Sequence, residues 1–270
     1  MKTPVTYYGG KQAIIGHILK LTPYHEVYTE CFLGGGSYFW AKDPVSNETI
    51  NDRLDIVVNF YRQLKRNYKA LKVLIDESLF ARQIHTQALA IVKGNLPADD
   101  LYKAWAFWFT CNFSHSCKIG GGMKYSNDSF TCCPQQLINK KEEFTELLVN
   151  RIEHTHIESK DALWVLRSRN VVNGFHYQDP PYLGCDQGHY KGYTVDNLCS
   201  LLEFNATECK GKFVLSHYNH PLIDEYIEKY GWKKQTIVHR LRATRKSGPD
   251  KVEILVYNFE EPATQQNLFH

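Results

Sequence analysis

The spacing of apolar positions changes twice along the chain, and those changes outline its organisation. EVYTECFLGGGSYFW (Glu26 to Trp40) reads as a strand, a glycine turn and a helix start. ETINDRLDIVVNFYRQLK repeats the plan: a short strand, an Asn-Asp turn and an amphipathic helix. Ile56, Val57, Phe60 and Leu64 form that helix's apolar stripe. Two strand–helix units in succession predict a parallel sheet. From about Leu71 to Ile157 the period is helical and strand signals are few. LYKAWAFWFTCNF there is a strongly aromatic helix, and KIGGGMKYSNDSF, with its three glycines, is a loop.

The strand–helix alternation then resumes. VVNGFHYQDPPY predicts a strand from Val171 to Tyr177 that runs into a loop. TVDNLCSLLEFNATECKG predicts a helix capped by Thr194, with Gly211 after its end. KFVLSHYN is the next strand, and Pro221 opens a helix at a favoured first-turn position. KKQTIVHRLRA and KVEILVYNF predict a closing antiparallel pair, and the tail EEPATQQNLFH a loosely ordered end. The expected architecture is α/β: a catalytic domain from 1–70 and 158–270, interrupted by a mainly helical subdomain at 71–157.

Composition narrows the class only slightly. A hydrophobic fraction of 43% and a charged fraction of 23% over 270 residues suit an ordinary globular chain. No apolar run approaches membrane-spanning length and no signal-peptide stretch stands at the start, so a cytoplasmic, membrane-free protein is expected. Eight cysteines include no CxxC pair and no finger-like His spacing, which disfavours zinc and disulfides alike. The net charge of +3 is mild. Its distribution is more informative, with Arg240, Arg242, Arg245 and Lys246 in one cluster and KRNYKALK (Lys65 to Lys72) in another. Most such runs are solvated faces; phosphate contact becomes attractive only beside other signs of nucleic acid.

Candidate chemistry lies where strands end. Gly34, Gly35 and Gly36 let a backbone approach a ligand closely. A dinucleotide fold would place glycine where Phe39 stands, which weakens a pyrophosphate reading and with it a nicotinamide oxidoreductase. Glu30, just before the loop, suits a ligand carrying an amine or a positive charge. Asp52 follows at about the 20-residue spacing from which a carboxylate accepts ribose hydroxyls; it also fits a helix cap. Ribose, adenine, sulfonium and amino-acid ends together describe S-adenosylmethionine. Asp179-Pro180-Pro181-Tyr182 then acquires a purpose. An exocyclic base amine is a poor nucleophile because its lone pair is delocalised. Ionised Asp179 and the Pro180 carbonyl offer acceptors only, so they can hold both amine hydrogens and favour a pyramidal nitrogen. The prolines stiffen the turn, and Tyr182 offers a face on which a base flipped out of its duplex can stack.

Four segments in this order resemble the Dam-type (D12 class) DNA adenine-N6 methyltransferases: TYYGGK, TECFLGGGSYF, INDRLDIVVNFY and DPPY. KVEILVYN is similar to that family's last core strand. The resemblance implies a Rossmann-like S-adenosylmethionine-dependent methyltransferase sheet with an inserted target-recognition subdomain. By position it implies that Tyr7, Tyr8, Gly10, Lys11, Glu30, Phe32, Gly34, Gly36, Asp52 and Asp179 surround the cofactor. Asp161 would join them near the adenine, where a helix cap is an equal alternative. Asp179, Pro180, Pro181 and Tyr182 would hold the target adenine in double-stranded DNA. Cys31 and Tyr8 depart from the family's usual proline and small residue. The family's NRxGxNG stretch is replaced by CNFSHSCKIGGGMKYSN, so GATC is not expected as the target. Asn112, Ser114, His115, Lys118 and Lys124 in that region are candidate DNA contacts, together with Arg240, Arg242, Arg245 and Lys246. No metal is assigned. A restriction endonuclease partner and a monomeric or weakly dimeric state fit the class. The alternatives are the same chemistry on cytosine N4, RNA or a protein amide, and an inactive DNA-binding regulatory module.

Overall fold

The computed structural model describes residues 1–125, 133–184, 190, 192–239 and 251–261, with backbone alone at 239 and 251. Seven strands form one sheet: β1 (Val27–Glu30), β2 (Asn47–Asn51), β3 (Thr155–Glu158), β4 (Gly174–Gln178), β5 (Lys212–Tyr218), β6 (Lys233–His239) and β7 (Lys251–Tyr257). The helices are α1 (Ile15–Lys20), α2 (Ser37–Ala41), α3 (Asp55–Arg66), α4 (Tyr68–Glu77), α5 (Arg82–Val92), α6 (Asp100–Phe113), α7 (Cys133–Glu143), α8 (Glu146–Ile152), α9 (Ala162–Ser168), α10 (Val195–Glu203) and α11 (Pro221–Tyr230). The strand order is β3-β2-β1-β4-β5-β7-β6. β1 to β5 are mutually parallel, and β7 inserts antiparallel between β5 and β6. This is the Rossmann-like methyltransferase arrangement expected from the sequence.

The order fixes where a ligand can sit. From β1 the chain winds outward through β2 and β3; from β4 it winds the other way. The crevice of such a sheet opens at the carboxyl ends of the two strands where winding reverses. Here those strands are β1 and β4, and they end at Glu30 and Gln178.

Helices cover both faces because both faces are apolar. Tyr28, Ile50, Phe175, Tyr177, Val214 and Leu255 contribute to one core, and Phe213, Leu215, Ile254 and Val256 to the other. The first core continues without a break into the helical segment. Every residue from Ala104 to Phe113 in α6 is buried, as befits a helix that is apolar all round. Phe107 packs on Phe60 of α3 with ring centroids 5.4 Å apart. At the rear of the sheet Glu48 of β2 pairs with Lys42, 2.5 Å away, and with Arg151 of α8. The segment 71–157 thus shares its core with the sheet, and β3 begins at Thr155, inside that segment.

Several local expectations are met. Thr194 and Asn197 form a reciprocal capping box. Pro221 stands in the first turn of α11, and Gly231 ends that helix with φ +67°. Two expectations are corrected. Val171 and Val172 are exposed (40% and 79%) because the chain turns there, Gly174 N–H donating to the Val171 carbonyl at 3.0 Å; the strand starts at Gly174. Gly211 does not cap α10, which continues as a π-helical turn over Phe204–Glu208. Its hydrogen is needed for packing: a Cβ there would stand 2.5 Å from the Gly174 carbonyl oxygen.

Candidate active site

The loop after β1 is shaped by a tyrosine. The Tyr7 ring lies against the glycines, so that a Cβ on Gly34 would approach its Cε1 to 2.8 Å and one on Gly35 its Cβ to 2.7 Å. Gly34 and Gly36 have φ of +50° and +64°, a region that L side chains adopt only at a cost. Gly36 then serves as the N-cap of α2. Glycine is required here by turn and contact together.

Asp52 follows β2 and is fully buried. Its Oδ2 accepts from Gly34 N–H at 2.8 Å and from the Tyr190 hydroxyl at 2.7 Å, and its Oδ1 accepts from Leu54 N–H at 2.9 Å. The Tyr7 hydroxyl donates to Tyr190 at 2.9 Å, completing a chain from the N-terminal segment to this carboxylate. Burial raises the Asp52 carboxyl to about 6, against the pull of these donors. Beside it opens a cavity of about 350 Å³, whose lining includes Phe32, Asp52, Leu54, Asp161, Leu163 and Tyr193. Its lining mixes apolar side chains with two carboxylates, the cations Arg53 and Lys160, and Asn51, Asn197 and Ser200, a composition that could hold the nucleoside of S-adenosylmethionine. Asp161 also caps α9, its Oδ1 accepting from Leu163 and Trp164 N–H. Asn51, which sequence reasoning passed over, staples the wall: its amide donates to the Cys31 and Lys160 carbonyls and accepts from Lys160 N–H.

Across the crevice stands the turn after β4. Lys11 Nζ pairs with Asp179 Oδ2 at 2.8 Å, donates to the Gly9 carbonyl at 2.9 Å and lies 4.8 Å from the Tyr182 ring centroid. The other oxygen, Asp179 Oδ1, is buried with no hydrogen-bond partner among the described residues. Burial pushes this carboxyl up to about 6; the Lys11 ammonium and, less, the Tyr182 hydroxyl oppose the rise and Glu253 adds to it. The Tyr182 hydroxyl donates to Glu253 Oε2 at 3.0 Å. Glu30 lies beneath, 2% exposed, accepting from the Tyr28 hydroxyl at 2.5 Å. Burial raises its carboxyl to about 8, against the hydrogen bond from Tyr28.

The structure therefore gathers Tyr7, Lys11, Glu30, Phe32, Gly34, Gly36, Asp52, Asp161, Asp179 and Tyr182 around one crevice. Gly10 is exposed in the turn that Gly10 N–H closes on the Tyr7 carbonyl at 3.1 Å. Pro180 is buried and Pro181 lines the cavity. The expected DNA contacts divide. Asn112 and Ser114 are inside, which corrects the expectation that they face a duplex. Asn112 Oδ1 accepts from Thr6 N–H and Oγ, its amide donates to the Trp108 carbonyl, and Ser114 Oγ bonds His85 Nε2 at 2.9 Å. His115 is exposed, Lys118 Nζ lies 4.6 Å from the Tyr8 ring centroid, and Lys124 donates to Gln136. These three belong to a hairpin closed by a Ser114–Met123 bridge. Arg240, Arg242, Arg245 and Lys246 lie outside the described residues. The second basic run points away from the crevice: Lys65 donates to the carbonyl of Thr155, the first residue of β3, at the opposite end of the sheet.

The sheet, with a carboxylate turn beside a cavity at its carboxyl ends, is consistent with a Rossmann-like methyltransferase. Comparison with known proteins shows what the chain is similar to. Residues 7–88 match the model of the D12 class N6 adenine-specific DNA methyltransferases. The chain is also similar to the Type II methyltransferase M1.LlaDCHI of Lactococcus lactis subsp. cremoris, with 23% identity over 273 residues and 93% of each chain covered. The D12-class resemblance drawn from the motifs is borne out, and both matches support a DNA methyltransferase in general terms. Among the described residues, no helix is long and apolar enough to cross a membrane.

Proposed function

We propose that this protein transfers a methyl group from S-adenosylmethionine to N6 of an adenine flipped out of duplex DNA. The observation that carries the reading is the asymmetry of Asp179: one oxygen held by Lys11, the other buried and unpartnered. A buried acceptor without a donor costs free energy and is a place for a substrate N–H. Asp179 Oδ1 and the Pro180 carbonyl accept the two amine hydrogens, and Tyr182 contacts the base. Holding both hydrogens turns the nitrogen lone pair out of conjugation. S-adenosylmethionine supplies, when bound, an electrophilic methyl on a sulfonium. Phe32, Asp52 and Asp161 orient its nucleoside, and ionised Asp179 is positioned to take the proton that the amine must release. His115, Lys118 and Lys124 face the duplex, the helical segment 71–157 is its recognition part, and the basic cluster from Arg240 to Lys246 meets phosphates. Pairing with a restriction endonuclease suits this reading, since the L. lactis relative is named a Type II methyltransferase.

The test is transfer of labelled methyl from S-adenosylmethionine to unmethylated genomic DNA, followed by nucleoside analysis. Label in N6-methyladenine is the expected result. Label in N4-methylcytosine would change the base, and unlabelled DNA would overturn the assignment.

A further inference from the structure

Glu253 is an expensive residue. It stands in β7, between Tyr218 of β5 and Ile237 of β6 in register, and is 7% exposed. The residues after it in the strand, Ile254, Leu255 and Val256, are apolar and buried, while Val252 before it is exposed. A carboxylate in such a strand costs free energy that an apolar side chain would not. What it meets is the turn after β4. Glu253 Oε2 accepts the Tyr182 hydroxyl at 3.0 Å, a contact between residues 71 apart in the chain.

The rest of the surroundings hold the same ring. Tyr218 meets it edge-on with centroids 4.6 Å apart, and His217 lies at 4.8 Å. His217 Nδ1 donates to the Tyr218 carbonyl at 2.8 Å, which leaves Nε2 as an acceptor for Leu183 N–H at 3.3 Å. The turn is thus anchored at its start by Lys11 on Asp179 and at its exit by His217 on Leu183. Between those anchors the tyrosine ring could still swing about its Cα–Cβ bond. The bond from its far end to Glu253 removes that freedom.

We propose that Glu253 is a positioning residue, whose carboxylate fixes the plane of the Tyr182 ring so that the target base meets it in one orientation. This rests on the reading of Asp179-Pro180-Pro181-Tyr182 as the target-base site. Glu253 touches no substrate itself; its effect passes through the Tyr182 hydroxyl. Placing a reacting group wrongly by a fraction of its own size is enough to slow a reaction severely.

The experiment compares wild type with Tyr182→Phe, Glu253→Leu, Glu253→Gln and the Tyr182→Phe/Glu253→Leu double variant. It reads kcat and both KM values for methyl transfer to unmethylated genomic DNA. Tyr182→Phe and Glu253→Leu are each expected to lower kcat about tenfold with the cofactor KM little changed, and the double variant should be no worse than either. Glu253→Gln retains an acceptor and should restore most of the rate, which a requirement for charge would not allow; a role for mere bulk would leave Tyr182→Phe unaffected. Tyr182→Phe removes one oxygen, so it reports even if Glu253→Leu does not fold. Multiplicative losses in the double variant, or an unaffected kcat in Tyr182→Phe, would overturn the positioning role alone. A wild type that leaves adenine unlabelled would instead overturn the reading beneath it.

Discussion

Two aspartates stand at strand ends on either side of the crevice, and they are alike in all but their partners. Asp52 is wholly buried and Asp179 largely so, and burial raises both to about 6. Asp52 is surrounded by donors, two backbone N–H groups and a tyrosine hydroxyl. Asp179 has a lysine on one oxygen and none on the other. Equal acidity thus conceals unequal tasks. The first carboxylate is built into its wall and shapes a cavity. The second is held with one acceptor in reserve.

The sharpest way to break this comparison is to remove each carboxylate in turn. Asp179→Ala should lower kcat by roughly 10³-fold, the scale of losing a positioned group that acts in the transition state. Cofactor affinity, measured by calorimetry, should be nearly unchanged; full activity in this variant would refute the assignment. Asp52→Ala should do the reverse. Losing charge-assisted hydrogen bonds costs about 1.5–3 kcal/mol, which is about 10- to 150-fold in cofactor affinity, with a smaller effect on kcat at saturation.

Titration separates the two next. Each carboxyl sits above its ordinary range, so each loses acceptor capacity as pH falls through about 6. For Asp179 the loss should appear as an ascending limb in kcat, and for Asp52 as a rising cofactor KM. Lys11 favours the ionised form of Asp179, so Lys11→Met should move the kcat limb to higher pH and leave the KM limb in place. A limb that stays put would show that another group is being read.

The smallest effects compare two of the left-handed turns among the described residues. Around the cofactor cavity positive φ falls on glycine; in the hairpin after α6 it falls on Ser116 and Cys117, at +57° and +55°. Gly34→Ala should destabilise by about 1–2 kcal/mol, from its φ and the Tyr7 ring. Ser116→Gly should stabilise by about 0.5–1 kcal/mol, the relief of φ less the entropy of glycine. Urea midpoints would read both. A neutral Ser116→Gly would mean that the turn relaxes in solution.

These contrasts explain what the sequence could reveal. The glycine loop, Asp52 and the Asp-Pro-Pro-Tyr turn were legible because each is a local pattern at a strand end, as were Thr194 and Pro221 as helix starts. Asn112 was misread because α6 has no polar face, and in a helix buried on every side a polar residue is an internal tie; Ser114, the residue that caps it, is drawn in with it by His85. Val171 and Val172 looked like strand because their apolar run outweighed the turn sign of Asn173-Gly174. Tyr190, His217 and Glu253 carried no signal, since each meets the crevice only through the folded sheet. Asn51 was findable, being the neighbour of Asp52 at the same strand end.

The segment from Thr6 to Lys11 leaves the ribosome early, yet its partners come late. Thr6 waits for Asn112, 106 residues on, Lys11 for Asp179, and Asp52 for Tyr190, 138 residues on. Such distant pairings make assembly slow. A nascent chain therefore has no complete crevice until β4 and the turn beyond it have been made. Synthesis itself acts as a delay, and a chain cut short before that turn cannot methylate DNA.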